Sequence, residues 1–331
     1  MVQKLSIRNF KSIRRLDLDC RRVNIFIGEP NTGKTNILEG LALADCEVVD
    51  QLAKVVRVDR FQNLFFDQVE SETITVQLDD LCIEGSLADR HTRFDLLYKH
   101  SSGAGMLIGI KEGKALHREA SNEEAPEIID RFRTQYFLFN EYPEQNPIEI
   151  DSLASPYGGN LGNLVANNKE ARATLASFFS TSRFRPLVER SENKILLAYE
   201  EDGTLVTFPY ESASETLRRM AFYTLAIETN RDQVVLFDEP EAHSFPPYTK
   251  TLAERIALDE KGNQFFLTTH SPYMLDSLLS KTPASELNVV LCQMENFETK
   301  AYPMNQDQID QIKEWSMDAF FNFDRLLPEL K

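Results

Sequence analysis

Apolar and polar residues alternate with a period of two over the first part of the chain. Residues 3–9 and 14–20 show this alternation, which predicts a half-buried antiparallel pair of strands. Strand-like composition continues at 72–82, 92–99, 105–111 and 136–139, and residues 122–134 have a helical pattern. The pattern predicts a largely antiparallel N-terminal region.

Short continuous apolar runs occur in the C-terminal third and once near the start of the chain. They lie at Val23–Ile27, Val234–Phe237, Phe265–Leu267 and Asn288–Cys292. Helical stretches separate the later runs, at Tyr248–Ala257 and Pro272–Leu279. Strands without alternation are typical of a parallel sheet that is covered on both faces. The two ends of the chain are therefore expected to build one α/β core.

A change in composition marks the middle of the chain. Residues 140–168 are rich in proline, glycine and asparagine, which indicates loop and a boundary. Beyond it the sequence predicts a helix at 169–179, a hairpin at 194–200 and 203–209, and a helix whose apolar positions run from Leu217 to Glu228. The expected division is a core of residues 1–150 and 230–331, with a helical lobe, residues 151–229, inserted between its halves.

Charge limits the expected partners. The 331 residues have a formal net charge of −16, which argues against tight non-specific binding of nucleic acid. A cluster of basic residues among the first 22 leaves a local nucleic-acid contact open, although a solvated strand face with a phosphate contact explains it more simply. Nucleic acid is thus a possible partner that the net charge does not indicate.

Membrane insertion and secretion are not expected. The apolar stretches are far shorter than the roughly 18 residues that a membrane span needs. The N-terminus lacks a secretory apolar region, and the cysteines form no C-x-x-C pair, so the sequence predicts a cytoplasmic protein with reduced thiols. The four cysteines are Cys20, Cys46, Cys82 and Cys292.

The most informative motif follows the first apolar run. Gly28–Thr35 matches G-x-x-x-x-G-K-[ST] between a predicted strand and a predicted helix, the context in which backbone N–H groups surround phosphate. Lys34 would reach the β- and γ-phosphates, and the Thr35 hydroxyl would bind Mg²⁺. The predicted nucleotide contacts are Gly28, Asn31, Thr32, Gly33, Lys34, Thr35 and Asn36. A chance glycine turn is the alternative, and a P-loop alone does not establish hydrolysis.

Two further motifs follow strands. Asp238 and Glu239 come directly after Val234–Phe237, where an acid would hold Mg²⁺ and its neighbour would act as general base on water. His270 follows Phe265–Leu267 and would contact the γ-phosphate. The alternatives are an acidic turn at Asp238–Glu239 and a structural role for His270. The presence of a P-loop in the same chain favours the functional interpretation of both motifs.

Together these motifs resemble the ABC-type ATPase superfamily, most closely the branch that holds SMC, RecF and OLD-like proteins. The opening Leu5–Ile13 leads to the P-loop as in that branch, Val234–His243 is similar to its Walker B and D-loop, and Leu267–Pro272 is similar to its switch-histidine loop. Phe61–Phe66 is similar to small AAA-type members found in prokaryotic defence operons.

The resemblance implies an ABC-type P-loop NTPase fold that binds ATP and Mg²⁺ in a head-to-tail homodimer. Each P-loop would be completed by the partner's signature segment, which corresponds here to Tyr210–Arg219. That segment lacks the usual glycine, so Ser212 or Ser214 would offer a hydroxyl to the γ-phosphate, while Glu215 would repel it. The resemblance therefore implies hydrolysis that is slow or depends on a partner.

The resemblance also implies further site residues. Lys11, in the opening motif, would contact the nucleotide, and Asn140 would take the place of the family's Mg²⁺-sensing glutamine. Glu241 and His243, in the D-loop, would contact the second subunit across the dimer seam. In the C-terminal tail, Trp315, Phe320, Phe321 and Phe323 are expected to pack in the core, with partner docking as the alternative.

The resulting functional hypothesis is an ATPase that acts as a nucleotide-driven switch or scaffold. Its output would pass to a separate effector, such as a nuclease or toxin in anti-phage defence. The 61 residues after His270 are too few for the metal-binding Toprim domain of OLD-like nucleases. A RecF-like DNA-repair ATPase and a non-hydrolysing ATP-sensing scaffold are the alternatives. A transporter subunit fits least, because the signature differs.

Overall fold

The computed structural model describes residues 1–45, 51–89, 92–112, 114–144, 151–315, 320–322 and 325. The strands are β1 (Lys4–Phe10), β2 (Ile13–Asp19), β3 (Val23–Ile27), β4 (Ile74–Leu78), β5 (Leu81–Ala88), β6 (Arg93–His100), β7 (Gly105–Lys111), β8 (Lys114–Ala120), β9 (Thr134–Phe137), β10 (Arg185–Glu189), β11 (Lys194–Glu201), β12 (Thr204–Pro209), β13 (Val234–Asp238), β14 (Gln264–Thr268), β15 (Leu287–Glu295) and β16 (Glu298–Pro303). The helices are α1 (Lys34–Ala42), α2 (Leu52–Val55), α3 (Ala125–Asp130), α4 (Leu161–Asn167), α5 (Lys169–Ser177), α6 (Glu215–Thr229), α7 (Pro246–Ala257), α8 (Pro272–Lys281) and α9 (Gln306–Trp315).

A six-stranded sheet, in the order β16-β15-β3-β14-β13-β9, joins the two ends of the chain. All strands but β16 are parallel, and β3, from the first 30 residues, lies between β14 and β15. Every residue of β3 and β14 is buried, as the continuous apolar runs predict. The expected α/β core with a mixed sheet is confirmed.

A seven-stranded antiparallel sheet, in the order β2-β1-β4-β5-β6-β7-β8, forms the N-terminal region. The segment 72–82, predicted as one strand, is two: a turn at Asp79, where φ is +48°, separates β4 from β5. The helix predicted at 122–134 is limited to α3, because β9 already begins at Thr134. Strand β8 has no counterpart among the predicted elements, since its residues are mostly exposed.

The inserted region combines helices with a three-stranded antiparallel sheet, β10-β11-β12. The predicted hairpin and the predicted helix α6 are present. Helix α4 lies in the stretch expected to be loop, and β10 was not predicted. The boundaries at 150/151 and 229/230 stay predictions, and the first of them touches residues outside the described ranges.

Two apolar layers cover the six-stranded sheet. One lies between this sheet, α1 and the seven-stranded sheet, with Phe26, Ile37 and Leu236 among its members. The other packs α6, α7 and α8 against the opposite face. In the tail, Trp315 and Phe320 pack on this second layer and Phe321 is 87% exposed, whereas Phe323 and Cys46 lie outside the described residues.

Candidate functional site

Three of the predicted motifs meet at the carboxyl edge of the parallel sheet. The P-loop follows β3, Asp238 ends β13, and His270 follows β14, which lies between them. The Thr35 hydroxyl donates to Asp238 Oδ1 at 3.0 Å, although the two residues are 203 positions apart in sequence. The sheet order therefore brings the predicted magnesium residues into direct contact.

The P-loop backbone depends on its two glycines. Gly28 has φ +144° and Gly33 has φ +85°, conformations that residues with a side chain rarely adopt. A Cβ on Gly28 would lie 2.2 Å from the carbonyl oxygen of Cys292, and one on Gly33 would lie 1.9 Å from Thr299 Oγ1. The loop is thus folded tightly against the β15–β16 hairpin. Between the glycines, Asn31 is exposed and also has a positive φ, +62°.

Lys34 folds back over the loop that it follows. Its ammonium donates to the carbonyl oxygens of Gly28 and Glu29, at 3.1 and 2.7 Å, and to Thr32 Oγ1 at 3.3 Å. Only 5% of the residue is exposed, and this burial lowers its pKa, while nearby Asp238 and Glu239 oppose the shift. A buried ammonium that is held by neutral carbonyl groups is well placed to bind a phosphate.

A chain of short polar contacts anchors the start of α1. Asn36 Nδ2 donates to Ser12 Oγ at 2.6 Å, and Ser12 Oγ and Thr299 Oγ1 are 2.6 Å apart. Sequence reasoning assigned Asn36 to the nucleotide and missed both hydroxyl groups. No spacing signal could have found Thr299, because it is 287 residues from Ser12.

One hydroxyl group of β14 orients the acidic pair. Thr268 Oγ1 donates to Asp238 Oδ1 at 2.6 Å and accepts from the Glu239 N–H at 3.0 Å. Glu239 has φ +45°, an uncommon conformation for a residue with a side chain, and such strain is concentrated at functional sites. One threonine thus fixes both the carboxylate that would face Mg²⁺ and the backbone that directs the predicted base.

His270 lies beside the predicted base. Its Nε2 is 3.4 Å from Glu239 Oε1. Burial and the nearby Lys34 ammonium lower the His270 pKa below its usual 6.5, although Glu239 and Asp238 act in the opposite direction. The imidazole is therefore predominantly neutral at pH 7, with one ring nitrogen able to donate a hydrogen bond and the other able to accept one.

Lys11 has an intrachain partner in the structure. Its ammonium lies 2.6 Å from Glu39 Oε2, and Arg57 Nε lies 2.7 Å from the other oxygen of the same carboxylate. Glu39 is fully buried on α1, just behind the P-loop. Burial raises the Glu39 pKa and lowers that of Lys11, with each partner offsetting part of the shift of the other. The predicted contact of Lys11 with nucleotide stays a prediction.

The two serines of the signature segment lie at the surface, whereas its Tyr210 and Arg218 are buried. Ser212 and Ser214 are exposed, and neither side chain forms a hydrogen bond within the described part of the chain. Glu215, by contrast, binds Arg219 at 2.9 Å and His243 Nδ1 at 3.0 Å. These contacts partly compensate the negative charge of Glu215, which would otherwise repel the phosphate of a nucleotide bound to a second subunit.

Two predicted positions differ from the expected arrangement. Asn140 is exposed, and its side-chain oxygen accepts from the Tyr142 N–H at 3.0 Å; among the described contacts none joins it to Asp238 or Thr35. Glu241 does not face outward across a dimer seam, because it is 8% exposed and its carboxylate binds its own chain at Thr269, His270 and Ser271. Its side chain therefore offers little surface to a second subunit, whereas the His243 side chain is 71% exposed. The predicted contacts of both residues across a dimer seam stay predictions.

Comparisons with known proteins identify the family. A family model described as "AAA domain, putative AbiEii toxin, Type IV TA system" matches residues 109–276, just over half of the chain and a range that includes Asp238, Glu239 and His270. The Septu protein PtuA of Bacillus mycoides (strain KBAB4) is 24% identical over 328 residues, covering 91% of this chain. The chain spans 41% of the length of that relative.

Solved structures support the same fold. The SMC head bound to the C-terminal winged-helix domain of ScpA aligns over 93% of this chain and 99% of its own, with a TM-score of 0.54 and 16% identity. A second SMC head, derived from Pyrococcus furiosus and bound to the C-terminal domain of ScpA, covers 95% of this chain and 98% of its own, with a TM-score of 0.53 and 13% identity. The chain belongs to the AAA-domain family that the matching model describes, and its fold is that of an ABC-type P-loop ATPase.

Proposed function

We propose that this protein binds and hydrolyses ATP with Mg²⁺ in a head-to-tail dimer and acts as a nucleotide-driven switch for a separate effector. The observation that carries the proposal is the 3.0 Å contact between Thr35 and Asp238, formed at the sheet edge where Lys34 and His270 also lie. Residues from two distant parts of the sequence meet there, and they are the hydroxyl and the carboxylate that hold Mg²⁺ in P-loop NTPases.

The donor set at this contact fits magnesium. A threonine hydroxyl and a carboxylate offer oxygen ligands, and Mg²⁺ prefers oxygen and is commonly held by one or two carboxylates together with substrate phosphates. Thr35 and Asp238 would hold the ion, with Thr268 fixing the carboxylate. When bound, the ion would neutralise charge that develops on the phosphate oxygens.

The remaining residues supply binding and proton transfer. Lys34 exchanges its carbonyl partners for phosphate oxygens. Glu239 accepts a proton from the attacking water at Oε1 or Oε2, and the neutral His270 donates a hydrogen bond toward the terminal phosphate. The 3.4 Å separation of His270 and Glu239 puts base and donor on the same side of the site.

Dimerisation would complete the site. The exposed hydroxyl groups of Ser212 and Ser214 are available to a second copy of the chain, since neither forms a side-chain hydrogen bond with the described residues of its own copy. ATP held between a P-loop and the signature segment of the partner would close the dimer, and loss of the γ-phosphate would release it. The ion pair of Glu215 with Arg219 and its contact with His243 Nδ1 reduce the repulsion that its charge would cause.

The effector part of the proposal draws on the similar proteins. The matching family is described by a toxin and a toxin–antitoxin system, and the chain resembles a Septu protein over part of that protein's length. We therefore assign the output to a separately encoded toxin or nuclease in anti-phage defence. Within the described residues no helix is long and apolar enough to cross a membrane.

Glu239→Gln tests hydrolysis directly. Because glutamine keeps the shape of the side chain but cannot take a proton, phosphate release should fall by about 100-fold or more. Binding of a fluorescent ATP analogue should persist, and ATP should now trap a dimer that light scattering detects. Glu200→Gln, an exposed change in the inserted sheet, is the matched control and should leave the rate unchanged.

A non-hydrolysing scaffold is the second candidate, because the signature segment lacks the family's glycine. It would be favoured if wild-type protein bound the ATP analogue yet released no phosphate above background, with or without DNA. Equal rates in the wild-type protein and the Glu239→Gln variant would remove Glu239 as the base.

A further inference from the structure

Glu241 is a buried carboxylate with an unusual distribution of contacts. One oxygen, Oε1, accepts from the Thr269 hydroxyl, from the His270 N–H at 3.0 Å and from the Ser271 N–H at 3.2 Å. Thr269 Oγ1 accepts in turn from the Ser271 N–H at 3.0 Å. These donors are three consecutive residues, Thr269–Ser271, which we term the switch loop. A single side-chain oxygen therefore holds the backbone on which His270 is carried.

The other oxygen of Glu241 is buried without a hydrogen bond to replace its contacts with water. Glu241 Oε2 is buried and has no hydrogen-bond partner among the described residues. An unpaired buried acceptor is costly, and burial raises the Glu241 pKa to about 6. Packing alone would favour an apolar residue here, so the carboxylate is better explained by the three bonds of Oε1.

The same stretch of chain also reaches the signature segment. Two residues after Glu241, the His243 carbonyl oxygen accepts from Thr216 Oγ1 at 2.8 Å, and His243 Nδ1 lies 3.0 Å from Glu215 Oε1. Residues 241–243 therefore bind the switch loop at one end and the first turn of α6 at the other. In the proposed dimer, the switch loop and the signature segment of one chain would face different nucleotides. Residues 241–243 connect the two by hydrogen bonds within that chain.

We propose that Glu241 is a positioning residue that fixes the switch loop so that His270 faces the γ-phosphate of bound ATP. The proposal rests on the ATPase function proposed above. It assigns to this acid an intrachain role in place of the contact across the dimer that the sequence predicts. Glu241 acts through His270 and does not itself touch the nucleotide.

A double-mutant cycle tests this role. Glu241→Leu removes the shared acceptor, and kcat should fall about 10- to 100-fold with KM roughly unchanged, because a misplaced His270 lowers catalysis more than binding. In a His270→Ala background the same change should cost about 2-fold or less, because the residue through which it acts is already gone. Glu241→Gln, which retains one carbonyl oxygen for the three donors, should restore most of the rate. Glu260→Gln, at an exposed position, is the control.

A measurement without nucleotide separates this proposal from the ATPase proposal. Hydrogen exchange at the His270 and Ser271 amides should be slow in wild-type protein and in Glu241→Gln, and faster by about 10-fold in Glu241→Leu. The positioning role would be overturned if Glu241→Leu lowered kcat by the same factor with and without His270→Ala. It would also be overturned if the His270 and Ser271 amides stayed protected in Glu241→Leu. If the wild-type protein hydrolyses no ATP, the ATPase proposal fails, while the exchange data still decide whether Glu241 holds the loop.

Discussion

The carboxyl edge of the six-stranded sheet and the signature segment differ in how their polar groups are used. At the edge, the Thr35 and Thr268 hydroxyl groups both donate to Asp238, and Lys34 binds the loop that it follows. In the signature segment, the hydroxyl groups of Ser212 and Ser214 face solvent. The first region is organised within one chain before any ligand arrives.

In the proposed dimer, this difference separates a region that works within one chain from a region that needs a second chain. The free-energy cost of reorganisation is small when a preorganised site binds its ligand. Exposed hydroxyl groups, by contrast, form hydrogen bonds to another molecule only when that molecule binds at the surface. Changes at the edge should therefore act within each subunit. Changes in the signature segment should act on the site of the neighbouring subunit.

Gly33→Ala should have the largest effect on the edge. The new Cβ would lie 1.9 Å from Thr299 Oγ1 and 2.7 Å from Ser12 Oγ, so the loop must move away from its phosphate-binding shape. Affinity for ATP, measured by fluorescence titration, should fall about 100-fold or more. Gly203→Ala is the matched control, because Gly203 also has a positive φ, +75°, but an added Cβ meets nothing within 4 Å. It should cost only about 1 kcal/mol of backbone strain. Equal ATP affinities in the two variants would show that the close contact is irrelevant.

Lys11→Met separates a structural role from a nucleotide contact. Removing one of the two cations leaves the buried Glu39 with Arg57 alone, and the free energy of unfolding in urea should drop by about 2–3 kcal/mol. Lys99→Met breaks a more exposed pair, Lys99 with Glu84, and should cost less than about 1 kcal/mol. Unchanged stability together with weaker ATP binding would instead support the predicted contact of Lys11 with phosphate.

Replacing both signature serines by alanine tests whether they act in trans. Turnover should fall about 10-fold, the effect of losing a hydrogen bond to a charged group, while the isolated subunit keeps its stability. Mixed with Lys34→Ala protein, the serine variant should regain activity, since each mixed dimer contains one site with an intact P-loop and an intact signature segment. Ser180→Ala, exposed in the same lobe, is the control. A mixture no more active than its components would argue against shared sites.

The smallest expected effect is on the titration of His270. Burial and Lys34 lower its pKa, so in the free protein the ring should titrate below 6.5. Because the folded state favours the neutral ring, this group's contribution to stability is present above pH 6.5 and is lost as the pH falls through the lowered value. A non-hydrolysable ATP analogue should raise the pKa, because phosphate charge favours the imidazolium form. Nuclear magnetic resonance can measure the pKa of the ring, and the signal that is lost in the His270→Gln variant identifies it. If the analogue leaves the His270 pKa unchanged, His270 does not lie near the phosphate.

The sequence predicted the elements that are buried on both faces better than those at the edges. Strands β3, β13, β14 and β15 appear as continuous apolar runs, and each lies where it was expected. Strands β8 and β10 were missed because their residues are mostly polar or exposed, and Pro186 in β10 is tolerated only because β10 is at the edge of its sheet. Helix α4 was not predicted, because its asparagine and glycine residues favour loops.

The site shows the same limit. Motif spacing identified Lys34, Thr35, Asp238, Glu239 and His270, because each follows a recognisable strand or glycine loop. Thr268, Ser12 and Thr299 could not be assigned in this way, because hydroxyl groups acquire their roles from partners that are distant in sequence. Whether the motif residues bind nucleotide stays a prediction that the experiments above address.

The position of β3 between β14 and β15 has a consequence for synthesis on the ribosome. The P-loop strand is made within the first 30 residues, yet its two hydrogen-bonded neighbours are made only when residues 264–295 have emerged. Until then its apolar residues lack both flanking strands, and such long-range closure slows folding. A nascent chain should therefore need protection by chaperones, and it should acquire affinity for ATP only late in translation.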